Sequence, residues 1–541
     1  METPLRRNAA WLVVAIAYVS AFPYFEKLNN PNENVRVWAA RAVVQHGELN
    51  LGKVMAEWGY VNDKAISGKM LFSGKAPGTT FLGVPVLYAQ TKLWKLLGWN
   101  PPSKLGATLA LRVGSVALPL LIFLWFFARH IERIVKSPAV RDLLVLGLGV
   151  GTLMYPYGIT FVGHAQAAAA AYTGFMLLPA RGEPPPSRAR LQWAGVCVAL
   201  SVVFEYQAAL VAVLLGAYAA AVLRRRWGWF LLGASLPALL LGAYHTALFG
   251  RPWDFPYAHL ENTGFAQLWY QKDNWFIGLG KVHSSAVAVT TFAPSYGLFA
   301  FSPFLLLGVA GAIAAIIKGP RLQGALMLAI AAAMFAFLWR MSNWRGGWCV
   351  GPRYIAAAVP FLAWGAGLLY ARCRGRPRAR SAVAVALGGL VAVSIFMNAL
   401  SATVYPHYPE QFDNPLFDLT IPLLASGYAP YSLGTLLGLH GAVSLAPLGL
   451  VLVLGLALGM GGDDDRPRRW VSQTSGAVLL ASTIILALAK YGRAPSRAED
   501  GARGFVESYW EPRRRVDTPP SFAPPAPAVP GAAPPPGSKP R

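Results

Sequence analysis

Three side chains far apart in the chain stand out chemically: Glu33 in NENVR, Lys75 in FSGKAPG and Arg353 in WRGGWCVGPRY. A carboxylate can take a proton from a hydroxyl. A lysine offers a compact cation and an arginine a planar fork, and both suit a phosphate. Each also has a plainer reading. Glu33 in the first turn of a helix complements the helix dipole, Lys75 is a snorkelling interfacial anchor, and Arg353 is an interfacial arginine without a ligand. His164, entering an alanine-rich run after Tyr155-Pro156-Tyr157, is either a structural hydrogen-bonder or a site group. Glu205 interrupts the apolar stretch Leu191–Leu223, where an acid is expensive unless it is paired or functional. Arg345 and Tyr354, in the same glycine-rich loop as Arg353, complete the candidate set. Asp63 and Lys64 read as a solvated loop pair, and Asp413 and Asp418 as surface acids. No HExxH, GxSxG, Walker or GxGxxG arrangement is present, so hydrolase and nucleotide-binding classes fall away. Cys197, Cys349 and Cys373 form no CxxC pair, and neither a disulfide framework nor a zinc site is supported.

The elements that must position these groups are membrane helices. Of 541 residues, 55% are hydrophobic and only 13% charged, against about a quarter charged in soluble domains. Mean hydropathy is +0.42. Apolar runs of about 16–23 residues recur, each long enough to cross the hydrocarbon layer as a helix. The fold class is therefore an all-α polytopic membrane protein. The 48 Lys+Arg against 24 Asp+Glu give +24. Much of that excess lies in short loops between apolar runs, where orientation in the bilayer explains it and no nucleic-acid partner is needed. Basic clusters at Arg129–Arg141, Arg181–Arg190, Arg224–Arg226, Lys318–Arg321, Arg372–Arg380 and Arg466–Arg469 are placed on the cytoplasmic side. Leu191–Leu223 would run nearly 50 Å as one helix, too long for one crossing. A two-helix hairpin with Glu205 at its outer tip resolves this. Phe81–Leu97, with Gln90, Lys92 and Lys95, reads as re-entrant or interfacial.

About thirteen crossings result, near 11–25, 106–127, 143–158, 164–180, 191–204, 208–223, 228–249, 297–317, 322–339, 353–370, 381–403, 441–461 and 470–489. Three long outer segments separate them: Glu26–Lys104, Gly250–Tyr296 and Tyr405–Leu439. In the first, Val35, Trp38, Ala39, Ala42 and Val43 mark one face of an amphipathic helix. Asn32 is its expected N-cap and Gly47 its stop, and it should lie flat on the outer membrane face. Residues 1–490 form the transmembrane domain. The Pro-, Ala- and Arg-rich tail, 491–541, is expected to be disordered and, by odd parity, outside.

The order of these motifs resembles the integral-membrane GT-C glycosyltransferases, in particular bacterial relatives of protein mannosyltransferases and of the lipid A aminoarabinose transferase. It comprises an acid just after the first span, a Lys-x-Pro in the first outer loop, and an Arg-Tyr opening a late helix ahead of Ala-Val-Pro-Phe-Leu. A closer similarity is to a bacterial group with NEN-x-R, SDKAPG, GH, EY, GGW-x-x-GPRY and NPLFD stretches. Here these read NENVR, SGKAPG, VGHA, FEYQ, GGWCVGPRY and NPLFD, spread from Asn32 to Asp418. The resemblance implies a GT-C fold with a periplasmic first-loop juxtamembrane helix in the bacterial inner membrane. It implies a glycosyltransferase that moves a sugar from a polyprenyl-phosphate donor to a hydroxyl of a lipid, glycan or protein acceptor on the outer face. Glu33 would be the catalytic base or acceptor-orienting carboxylate, with Lys75 and Arg353 on the donor phosphate. No cofactor follows from the resemblance, and a divalent metal is left open. The chain departs from the group at Gly74, where the group has Asp beside the lysine, and around Glu33, whose neighbours Asn32 and Asn34 supply no second acid. The rival class, a transporter or flippase of lipid-linked sugars, would place its cations in mid-membrane cavities or broken helices.

Overall fold

The computed structural model describes residues 3–184, 186–264, 278–460, 467–491 and 496–510. The main helices are α1 (Pro4–Ser20), α2 (Pro31–Arg41), α3 (Gly78–Leu96), α4 (Lys104–Ile131), α5 (Pro138–Val150), α6 (His164–Leu177), α7 (Arg188–Phe204), α8 (Ala209–Leu223) and α9 (Trp227–Phe249). They continue with α10 (Leu305–Lys318), α11 (Arg321–Arg340), α12 (Arg353–Arg372), α13 (Pro377–Val404), α14 (Ala446–Met460), α15 (Pro467–Ala489) and α16 (Arg497–Tyr509). Each of the thirteen expected segments contains a helix. Among the described residues, seven helical stretches are long and apolar enough to cross a membrane, and one of these, Tyr206–Phe249, holds both α8 and α9. The interfacial candidate Phe81–Leu97 falls in α3, a continuous 19-residue helix with Pro85 inside it.

The hairpin at Glu205 has a geometric basis. Gly195 of α7 faces Phe230 and Ala234 of α9, so closely that a Cβ there would lie 1.9 Å from the Phe230 carbonyl oxygen. Just past the end of α7 the Tyr206 hydroxyl meets His245, farther along α9, at 2.9 Å. The two contacts advance in the same order along both segments, so α7 and α9 run in the same direction and α8 must return between them. The turns fall at Glu205, in extended backbone, and at Arg224, with φ +49°. Small residues let membrane helices approach this closely, and their backbones gain contact that side chains would block.

The bundle has two charged ends. At one, Arg6, Arg7, Arg129 and Arg141 share the carboxylates of Glu132 and Asp142. At the other end of the same helices lie α2 and a β-hairpin, Lys64–Ser67 paired antiparallel with Met70–Ser73. A second small pairing, Ala21–Phe22 with Tyr431–Ser432, ties the end of α1 to a late loop.

Three expectations need correction. The N-cap of α2 is Asn30, whose side chain accepts from the Asn32 amide, although the run does stop at Gly47 with φ +68°. Nor does α2 have a free polar face, because Asn32, Glu33, Val35, Arg36, Val37, Trp38, Ala39 and Ala40 are all buried. Its charges are neutralised inside the protein by Arg112 and Glu205, so burial needs no water-facing side. The tail is not wholly without structure either. A Ser496–Glu499 capping box starts α16, and Trp510 is buried against Phe25, Tyr428 and Tyr405, with ring centroids 4.5, 5.6 and 5.9 Å away. Val506 and Trp510 supply the apolar surface that composition alone hid. Residues 511–541, Arg466 and part of the second outer segment, 265–277, lie outside the described residues.

Candidate functional site

Glu33 sits in the first turn of α2 and is fully buried. Arg112 reaches it from a turn of π-helix, Arg112–Ala117, inside α4. Its Nε and Nη2 donate to Glu33 Oε1 and Oε2, both at 2.6 Å, and the Phe161 amide donates to Oε1 at 2.6 Å. Arg112 Nη1 also donates to the Pro23 carbonyl at 3.1 Å. Burial pushes the Glu33 carboxyl up, but the Arg112 charge and hydrogen bonds, the Phe161 amide and His407 outweigh it. The net effect holds the group below its ordinary value.

One helical turn on, Arg36 is fully buried and donates from Nη2 to Glu205 Oε1 at 2.7 Å. His164 lies on the same carboxylate, with Nδ1 3.7 Å from Oε1. The Gln207 amide is 3.3 Å from that nitrogen. Glu205 and His164 are thus tied to the site through Arg36.

Lys75 follows the β-hairpin directly, and the hairpin register explains its partner. Lys64 pairs with Ser73, and the Gly74 amide donates to the Asp63 carbonyl at 2.9 Å. Asp63 Oδ2 then lies 3.1 Å from Lys75 Nζ. The acid that the motif lacks at Gly74 comes instead from Asp63 across the hairpin. A side chain at Gly74 would not fit, since its Cβ would sit 2.4 Å from the Asp63 carbonyl oxygen. Burial lowers the Lys75 pKa, Arg353 and Arg36 lower it further, and Asp63 opposes them. The solvated-pair reading of Asp63 and Lys64 is therefore wrong. Asp63 faces Lys75, and the buried Lys64 pairs with Glu261 at 3.0 Å.

Arg353 opens α12 and is 5% exposed. Its Nη2 donates to the Gly346 carbonyl at 2.5 Å, its Nε has no hydrogen-bond partner, and among the described residues no carboxylate pairs with it. A cavity of about 270 Å³ is lined by Lys75, Asp63, Arg353, Tyr257, Trp348 and His407, with Tyr354 and Asn343 also on its wall. Four cations in this cluster, Arg36, Lys75, Arg112 and Arg353, meet three carboxylates, Glu33, Asp63 and Glu205. The unmatched one faces the cavity. An isolated buried charge is costly unless something pairs with it, and the cavity beside Arg353 has room for an anion to do so.

Of the sequence candidates, Glu33, Lys75, Arg353 and Tyr354 come together, with His164 and Glu205 one layer behind. Arg345 does not join them: its guanidinium lies over the Trp344 ring, 5.0 Å from the centroid. Sequence reasoning missed Arg36, Asp63, Arg112 and His407. Among the described residues no group of three or more His, Cys, Asp or Glu side chains has metal-binding geometry.

No protein-family model and no curated protein matches the chain. Solved structures do. ArnT from Cupriavidus metallidurans bound to undecaprenyl phosphate is 15% identical with a TM-score of 0.42, covering 88% of this chain and 77% of its own. The oligosaccharyltransferase AglB from Archaeoglobus fulgidus, in complex with an inhibitory peptide and a dolichol-phosphate, is 11% identical at 0.46, covering 75% and 56%. The arabinosyltransferase EmbB from Mycobacterium smegmatis is 12% identical at 0.36, covering 93% and 43%. All three are under 25% identical to this chain, and none reaches a TM-score of 0.5. Likeness at this distance assigns no residue a role.

Proposed function

We propose that the chain is a membrane glycosyltransferase that moves a sugar from a polyprenyl phosphate to an acceptor hydroxyl at the outer face of a bacterial inner membrane. The observation that carries this reading is Arg353, a buried guanidinium without a carboxylate, facing the same cavity as Lys75. When the acceptor oxygen attacks the anomeric carbon, the carbon–phosphate oxygen bond breaks and charge gathers on the leaving phosphate. Fixed cations aimed at that charge lower the barrier, typically by about 3 kcal/mol per donor. Lys75 and Arg353 supply them. Tyr257, Trp348 and Tyr354 give the cavity aromatic faces for a sugar ring, and Asn343 offers amide groups to its hydroxyls. Glu33, fixed from three directions, serves as an orienting carboxylate on the acceptor side. A lipid, glycan or protein can present the hydroxyl. A flippase would need its cations at mid-membrane, whereas these cluster at helix ends and in connecting loops.

The test is binding of undecaprenyl phosphate to the purified protein. Arg353→Ala and Lys75→Ala should each weaken it by about 2–5 kcal/mol, as expected when one partner of a desolvated charge contact is removed. Wild-type affinity in both variants would refute the assignment.

A further inference from the structure

Glu33 is poorly placed to carry a proton, and a neighbour that carries none is well placed. Three charge-assisted hydrogen bonds already occupy the Glu33 oxygens. His407 lies in Tyr405-Pro406-His407, the loop after α13, and is 4% exposed. Its Nε2 is buried without a hydrogen-bond partner. It lines the cavity that holds Lys75 and Arg353, and also a second, smaller one walled by Glu33, Thr160 and Tyr157. The two share Asn30, Arg353 and His407 as a common wall. The small cavity measures about 10 Å³, room for about one oxygen-sized group.

We infer that His407 takes the acceptor's proton, and that the small cavity between it and Glu33 seats the acceptor hydroxyl. This rests on the proposed glycosyl transfer. The hydroxyl oxygen forms the new bond to the anomeric carbon, the phosphate departs with the electron pair of the broken bond, and the proton passes to His407 Nε2. The charged groups around His407 come from three elements: Glu33 on α2, Arg112 on α4 and Arg353 on α12. In the empty site, burial and the two arginines keep the imidazole neutral, the form with a free lone pair. A donor phosphate on Arg353 cancels one of those charges, so the proton affinity of His407 rises as the donor arrives. The base is thereby switched on by the substrate it serves.

The experiment compares wild type and His407→Gln in two measurements. One is undecaprenyl phosphate binding to the purified full chain. The other is mass spectrometry of envelope glycolipids and glycoproteins from cells with and without each version. Glutamine keeps a neutral hydrogen-bonding side chain but cannot take the proton, so a merely structural histidine would be replaced without loss. The expected result is binding within about twofold of wild type and at least about a hundredfold less gene-dependent product. Wild-type product from His407→Gln overturns the inference and leaves the glycosyltransferase reading standing. Wild-type binding by both Arg353→Ala and Lys75→Ala overturns that reading, and the inference with it. Should His407→Gln fail to accumulate, carbethoxylation of the wild-type protein decides. Undecaprenyl phosphate should protect His407, and Arg353→Ala should abolish the protection. Equal modification with and without the lipid overturns the inference.

Discussion

The two ends of the bundle use the same residue types to opposite effect. At the basic end, Glu132 receives Arg7, Arg129 and Arg141, and its side chain is 20% exposed beside a 49% exposed Arg7. Water and redundancy share the work there. At the loop end, Glu33–Arg112 and Arg36–Glu205 are one-to-one pairs with each side chain no more than 5% exposed. Exposed pairs contribute about 0–1 kcal/mol, while breaking a buried pair costs about 3–5 kcal/mol, because a charge is left stranded. The exposed pairing on Glu132 therefore tolerates change, although Arg141 and Asp142 beside it are buried, and the loop end is a rigid frame around the unmatched Arg353.

The comparison is tested hardest at Arg112. Arg112→Gln should cost about 3–5 kcal/mol of stability, read as thermal unfolding in detergent, because Glu33 loses both hydrogen bonds from the guanidinium and its opposite charge, or is forced to protonate. Adding Glu33→Gln should recover most of that loss, since the stranded charge goes with it. A double variant as unstable as the single one would mean that Arg112 matters for packing and not for pairing.

Acid should act on the loop end next. Burial, together with Arg112 and Arg353, lowers the His407 pKa from its ordinary 6.5 to about 4, against the opposing pull of Glu33. The unfolded chain thus takes this proton more readily than the folded one. His407 contributes stability that is full above about pH 6.5 and lost as pH falls towards 4, about 3 kcal/mol in all. His407→Gln should flatten the melting temperature across that window relative to wild type. An unchanged pH profile would place the imidazole elsewhere.

Arg353 should behave unlike either paired arginine. It strands no carboxylate when removed, so Arg353→Ala should change stability by no more than about 1 kcal/mol, in either direction, while phosphate binding falls. A loss on the scale expected for Arg112 would show that a partner already satisfies it, and the anion site would lose its basis.

What the sequence made legible follows the same division. The helices were readable because lipid demands long apolar runs, and the hairpin at Glu205 because length and charge left one solution. Glu33, Lys75 and Arg353 stood out through their motifs, and the fold brings them to neighbouring cavities. Their partners did not stand out. Asp63 reaches Lys75 only through the register of a β-hairpin, and Arg36 reaches Glu205 across 169 positions. Arg112 did leave a signal, a lone arginine inside the apolar run Leu105–Phe127, where an unpaired charge is expensive. His407 left almost none, since only the folded chain shows the two cavities it divides. Surface docking of α2 failed as an expectation because amphipathicity records which residues are apolar and not what neutralises the rest.

The smallest effect is expected at Arg7. Its Nε and Nη2 meet Glu132 at 3.0 and 2.5 Å, a geometry as good as that of Arg112 on Glu33. Geometry alone would make the two substitutions equivalent. Burial separates them: Arg7 is half exposed, so water takes over its hydrogen bonds once the pair is broken, and dissolved salt screens what attraction remains. Glu132 also keeps Arg129 at 2.8 Å and Arg141 at 3.2 Å. Arg7→Ala should therefore cost less than about 1 kcal/mol, and the cost should shrink further between low and high salt. If thermal unfolding instead showed a salt-independent loss as large as that of Arg112→Gln, the basic end would be as tightly built as the loop end, and the contrast between them would collapse.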